Sequence, residues 1–194
     1  FKLHNIVDPG RRTLEVTENS IVQGHVLESE QGYAYEYFKT IEITAPDSFR
    51  ISHKLTNNGS KVLKGDVYNH NFFTFGDSRP GPAIDINFPF KPSGTWRSEY
   101  DSVALTDNGI RFSRALKAGE SVFMGNLKPA DGAEITGEVF SQSGDGHRIT
   151  FHSDKAFHRI TFWSNHRVGC IEPFIPYRIL PGETLEWKYL YRLQ

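Results

Sequence analysis

Two short segments hold residue types that proton-transfer chemistry needs. The first is Tyr68-Asn69-His70-Asn71-Phe72-Phe73. A polar Asn-His-Asn trio runs straight into an apolar pair, just ahead of a Pro-rich stretch. Histidine changes charge near neutral pH, and a polar trio at a strand end facing a loop is a common setting for a ligand site. The plainer alternative is that Asn69 and Asn71 only make a turn. The second is Gly169-Cys170-Ile171-Glu172-Pro173-Phe174. Its small and apolar residues read as buried strand, so Glu172 faces a pocket or is paired. Burial favours the protonated carboxyl, raises its pKa and fits it for general-base work. A salt bridge to Arg167 or Arg178 is the alternative. Six other histidines, His4, His25, His53, His147, His152 and His158, read as strand-face or surface residues.

Other chemistries lack their residues. No nucleophile elbow, phosphate-binding loop or dinucleotide glycine motif is present. The single cysteine, Cys170, excludes an internal disulfide and a cysteine-based zinc site. No His-x-His pair has a carboxylate close behind, so neither a metal nor a cofactor is expected, with a metal site built on several histidines as a minor alternative. Lys+Arg 22 against Asp+Glu 23 leaves a formal net charge of −1, which gives no pull toward nucleic acid. No apolar run approaches the length of a membrane span. A soluble protein of the cytoplasm or periplasm is expected, and its aromatic content permits a homodimer.

The elements that must position these residues are strands. Tyr33, Tyr35, Tyr37, Lys39, Ile41 and Ile43 alternate with Ala34, Glu36, Phe38, Thr40, Glu42 and Thr44. The same period of two runs through Phe49–Thr56 and Leu185–Tyr191. Turn chemistry separates the runs at Asn57-Asn58-Gly59-Ser60, Asp107-Asn108-Gly109, Ser143-Gly144-Asp145-Gly146 and Pro181-Gly182. No window sustains a 3.6 period. Asp77–Trp96, with Pro80, Pro82, Pro89 and Pro92, reads as a long packed loop holding one short strand, Ile84–Phe88. The expectation is an all-β, antiparallel β-sandwich with very little helix, residues 1–194 forming one domain.

The first segment resembles the Asn-His-[Ser/Thr]-Tyr-Phe-Asn-Leu motif of galactose mutarotases, the aldose 1-epimerases. Ile171-Glu172-Pro173, followed by Leu180-Pro181-Gly182-Glu183 and an aromatic last strand, is similar to that family's C-terminal end. Gly32–Thr40 resembles a divergent bacterial branch. The resemblance implies a mutarotase-like supersandwich with a small-molecule sugar as its ligand. It implies His70 as the general acid at the ring oxygen and Glu172 as the general base at the anomeric hydroxyl. Asn69, Arg79, Trp163 and His166 are the candidate sugar contacts, with Trp96 and Phe174 as further aromatic platforms; Trp163 as a core residue and Arg79 as a solvated loop charge are the alternatives. Family members carry an N-terminal Arg and a second His, which nothing before Gly32 matches. The chain is therefore expected to be a C-terminal part of a longer parent. A non-catalytic carbohydrate-binding protein of the same fold is the alternative.

Overall fold

A computed structural model describes residues 5–96, 101–135, 138–143 and 146–194, and the side chains of these except Trp96 and 138–143. The Trp96 indole, His4 and the middle of the turn at Gly144-Asp145 therefore lie outside the described residues. Every regular element among them is a strand, as the period of two requires. In chain order these are β1 (Arg11–Val16), β2 (Ser20–Glu28), β3 (Ala34–Ala45), β4 (Ser48–Asn57), β5 (Leu63–Val67), β6 (Phe72–Phe73), β7 (Ile84–Asn87) and β8 (Pro92–Trp96). Then come β9 (Val103–Thr106), β10 (Gly109–Phe112), β11 (Ser121–Pro129), β12 (Glu138–Ser143), β13 (Arg148–Ser153), β14 (Arg159–Asn165), β15 (Gly169–Ile179) and β16 (Thr184–Leu193). The chain forms two compact units, one of residues up to Gly65 with Tyr177–Tyr189, the other of Asp66–Pro176 with Leu190–Gln194.

In the first unit β1 to β4 form an antiparallel meander. Its centre is aromatic. His53 stacks on Trp187 with ring centroids 4.6 Å apart, and Tyr37 Oη lies 2.7 Å from His53 Nδ1. Asn57, from the expected turn, is fully buried and pays for its burial with bonds. Its Nδ2 donates to the carbonyls of Lys61 at 2.8 Å and Ile179 at 2.9 Å, and its Oδ1 accepts from the Gly59 amide.

The second unit is a two-layer sandwich. One layer runs β13-β12-β7-β10-β9, the other β15-β14-β11-β8, all antiparallel, with β6 added beside β15. Ile84, Ile86, Ile110 and Phe112 of the first layer are buried, as are Met124, Leu127, Ile160 and Phe162 of the second. Phe112 meets Phe162 edge-on, ring centroids 6.2 Å apart. Strand alternation gives each layer its core face in every second residue, except in β11, where a bulge between Met124 and Leu127 shifts the register.

The Pro-rich stretch departs from expectation in one respect. It contains the expected strand, ending one residue earlier at Asn87, and Phe88 packs on Phe90 at 5.4 Å. It also contains β8, which its proline and glycine concealed. Pro92 is the first residue of β8, which forms the end of its layer, a place that needs no ladder donor from proline.

The turn at Asp107-Asn108-Gly109 joins β9 to β10 as its sequence predicts. Gly109 is packed so closely on β7 that an added Cβ would fall on the Ile86 carbonyl oxygen. Gly109→Ala is expected to destabilise the protein by about 1–3 kcal/mol, the range for overpacking a well-filled site. A lowered urea midpoint with unchanged slope checks it.

Candidate active site

The site is built on the face of β14 and β15 that turns away from the sandwich core. Register pairs Trp163 with Cys170, Thr161 with Glu172 and Arg159 with Phe174, so all six side chains share one face. The intervening Ile160, Phe162, Ile171 and Pro173 supply the buried rows on the other. β6 extends the site face, since Phe72 pairs with Cys170.

The segment before β6 brings in the histidine. Its odd and even positions have different surroundings. Asn69 is buried, its side-chain amide against the Tyr191 hydroxyl. Asn71 Nδ2 donates to the Tyr191 hydroxyl at 2.8 Å. Burial pushes that hydroxyl up to about 12, so it is a neutral phenol near pH 7 and accepts this bond uncharged. On the even side, Tyr68 lies stacked on Phe174 at 4.4 Å and Phe72 meets Trp163 at 5.8 Å. His70 sits between them, its ring 4.7 Å from that of Phe72.

Here the two candidate proton-transfer residues meet. His70 Nε2 lies 3.2 Å from Glu172 Oε1, with the histidine side chain 43% exposed and the glutamate 8%. One member of the pair is thus open to solvent and the other sheltered. Glu172 is paired with His70, not with Arg167 or Arg178, the partners its local sequence suggested. Burial raises the Glu172 carboxyl above its ordinary range. Charge on His70 works against this, as do a hydrogen bond from Cys170 and the Arg159 charge.

Cys170 is the residue that sequence reasoning passed over. Its Sγ lies 3.2 Å from His70 Nδ1. Burial first, then the Glu172 charge, pushes this thiol up, so it stays protonated. A thiol is both a weak donor and a weak acceptor. The thiol's one proton serves either Nδ1 of His70 or the Glu172 carboxylate. His70 Nε2 is directed at Glu172. The signal was available: Cys170, Glu172 and Phe174 are alternate residues of one strand, so a pocket-facing Glu172 brings Cys170 with it.

The remaining candidates divide. Trp163 lies on the site face, opposite Cys170. Phe174 is a platform held from both sides. Tyr68 stacks on it, and the Arg159 guanidinium lies 3.5 Å from its ring centroid while pairing with Asp66 at 3.1 Å. His166 is in the β14–β15 hairpin turn, where Arg167 Nε donates to its Nε2 at 3.3 Å. The turn itself is held by Asn165 Oδ1, which accepts the Arg167 and Val168 amides. Arg79 is exposed in the stretch after β6. Among the described residues no hydrogen bond or ion pair ties either His166 or Arg79 to the His70–Glu172 pair.

Neither a protein-family model nor a curated protein matches the sequence. Solved structures do. A galactose mutarotase related enzyme from Lactobacillus acidophilus aligns with 94% of this chain and 71% of its own, at 12% identity and a TM-score of 0.68. The fold is galactose mutarotase-like. A galactose mutarotase-like protein from Lactobacillus casei covers 95% of this chain and 73% of its own, at 14% identity and a TM-score of 0.61. An aldose epimerase homologue from C. elegans covers 94% and 68%, at 12% identity and a TM-score of 0.60. The mutarotase-like fold is thus retained at identities where few individual side chains are shared. The all-β sandwich expected from the sequence is the one found.

Proposed function

We propose that this protein interconverts the anomers of a free sugar, with His70 as general acid and Glu172 as general base. The observation that carries the reading is the 3.2 Å contact between an open imidazole and a sheltered carboxylate. The ring oxygen and the anomeric hydroxyl of an aldopyranose share one carbon. Two proton-transfer groups side by side can therefore each address one of them.

Glu172, ionised, takes the proton from the anomeric hydroxyl, and charged His70 gives one to the ring oxygen. The bond from the anomeric carbon to the ring oxygen breaks and the aldehyde end rotates. On closure from the other face, His70 recovers its proton from the former ring oxygen and Glu172 returns its proton to the carbonyl oxygen. The protein's charge is the same before and after. Tyr68 and Phe72, 44% and 57% exposed, offer aromatic faces to the C–H side of the ring. Trp163 shares their face of the strands. Asn69, beside His70 and bonded to the Tyr191 hydroxyl, is the nearest of the polar candidates in sequence. Arg79 and His166 would have to be recruited by the sugar.

The test is anomer interconversion from pure α-glucose and pure α-galactose, followed by NMR or polarimetry. A rate above the spontaneous one is expected, with an ascending acid limb. Because Glu172 is raised above its ordinary value of 4.5, that limb lies at pH above 4.5. Binding of these sugars without acceleration would replace this reading with a carbohydrate-binding role.

A further inference from the structure

The proton-transfer reading uses two of three polar side chains that meet at one point. His70, Cys170 and Glu172 each present a metal-ligating atom, and these atoms lie within 4.8 Å of one another. Tetrahedral zinc, with bonds of about 2.3 Å to sulfur and about 2.0–2.2 Å to nitrogen or oxygen, holds its ligand atoms roughly 3.3–3.6 Å apart. The Nε2–Oε1 separation of 3.2 Å is already close to that spacing. Cys170 and Glu172 come from alternate positions of one strand and share its site face; the sulfur lies 3.2 Å from Nδ1, the other ring nitrogen, so coordination through Nε2 needs the imidazole or the thiol to turn.

The donor set has a preference. A thiolate and an imidazole with one carboxylate suit zinc and its neighbours, whereas magnesium and calcium take oxygen ligands. A single cysteine in the chain rules out sites that need two thiolates and leaves a mixed site open. Cys170 and Glu172 are buried while His70 is 43% exposed, so the fourth position would lie toward solvent. Three protein ligands and one open position are also the pattern of zinc sites that exchange their outer ligand.

From this we infer that His70, Cys170 and Glu172 form a three-ligand site for a zinc-type divalent cation, one that competes with the sugar for the same atoms. On binding, Cys170 gives its thiol proton to solvent and a sulfur–metal bond forms. His70 coordinates as neutral imidazole and Glu172 as carboxylate, with no change of oxidation state. The competition rests on the proposed sugar reaction, whereas the metal site does not.

Cobalt(II) titration of the whole protein, dialysed free of metal, is the experiment. A thiolate-to-cobalt charge-transfer band in the near ultraviolet is expected, saturating at one equivalent, displaced by zinc(II) and untouched by magnesium(II). Cys170 is the chain's one cysteine, so any such band reports this site. Cys170→Ser is expected to abolish the band and weaken zinc binding at least tenfold by calorimetry. Absence of the band in the unaltered protein at saturating cobalt overturns the inference, even if the variant fails to fold. So does zinc affinity unchanged in a folded Cys170→Ser. Neither readout uses sugar, so a protein inactive on sugars would leave this result intact.

Discussion

Glu172→Gln is expected to lower the catalysed rate of anomer interconversion by about 10²–10⁴-fold, the usual contribution of a positioned general base. The amide keeps the size and one acceptor oxygen of the carboxylate, so sugar affinity should change little. The loss should fall on kcat and not on KM. The fold gives a control that separates chemistry from collapse. Glu172 is raised in the folded protein, so ionising it there costs more than in the unfolded chain. That cost is absent at pH below its unfolded value. It grows as pH climbs through the folded value and is complete above it. The neutral amide never incurs it. At neutral pH the variant should therefore be at least as stable as its parent, with any advantage fading toward acid. Urea titrations at neutral and acid pH would show this. An inactive variant with a lower midpoint at neutral pH would point to structural damage instead. A fully active one would remove Glu172 from the mechanism.

The largest effect on stability is expected at Phe162→Ala. Phe162 is fully buried on the core side of β14, edge-on to Phe112 of the opposite layer. Truncating a buried phenylalanine costs about 3–5 kcal/mol, the sum of lost transfer energy and the cavity left behind. That is a large share of the roughly 5–15 kcal/mol by which domains are stable. The urea midpoint should fall accordingly. A loss under about 1 kcal/mol would mean that the two layers close over the gap, contrary to a tightly filled core.

Periodicity made most of the architecture legible. The alternating runs at 33–44, 49–56 and 185–191 became β3, β4 and β16 with ends shifted by a residue or two. β8 escaped because proline and glycine signal breaks locally, while its place at the end of a layer tolerates them. The meeting of His70 with the Gly169–Phe174 strand spans a hundred residues and no local pattern encodes it. Only the resemblance to a family joined the two segments. Cys170 went unread for the opposite reason. A lone cysteine signals neither a disulfide nor a zinc cluster, and only its alternation with Glu172 and Phe174 marks it as a residue of the site. Trp163 and His166 are three residues apart in sequence. Register sets the first opposite Cys170, and the Asn165-capped turn carries the second to the hairpin end.

The shared register of β14 and β15 also limits how such a site can change over evolutionary time. Reactive and core positions are interleaved in a single reading frame of period two. Deleting one residue near Gly169 would slide Ile171 and Pro173 toward the His70 side and drive Glu172 among Ile160 and Phe162. Core and chemistry would fail together. Length changes in this hairpin are thus confined to the turn at 165–168 or to steps of two, and new specificities must arise by exchanging side chains in place.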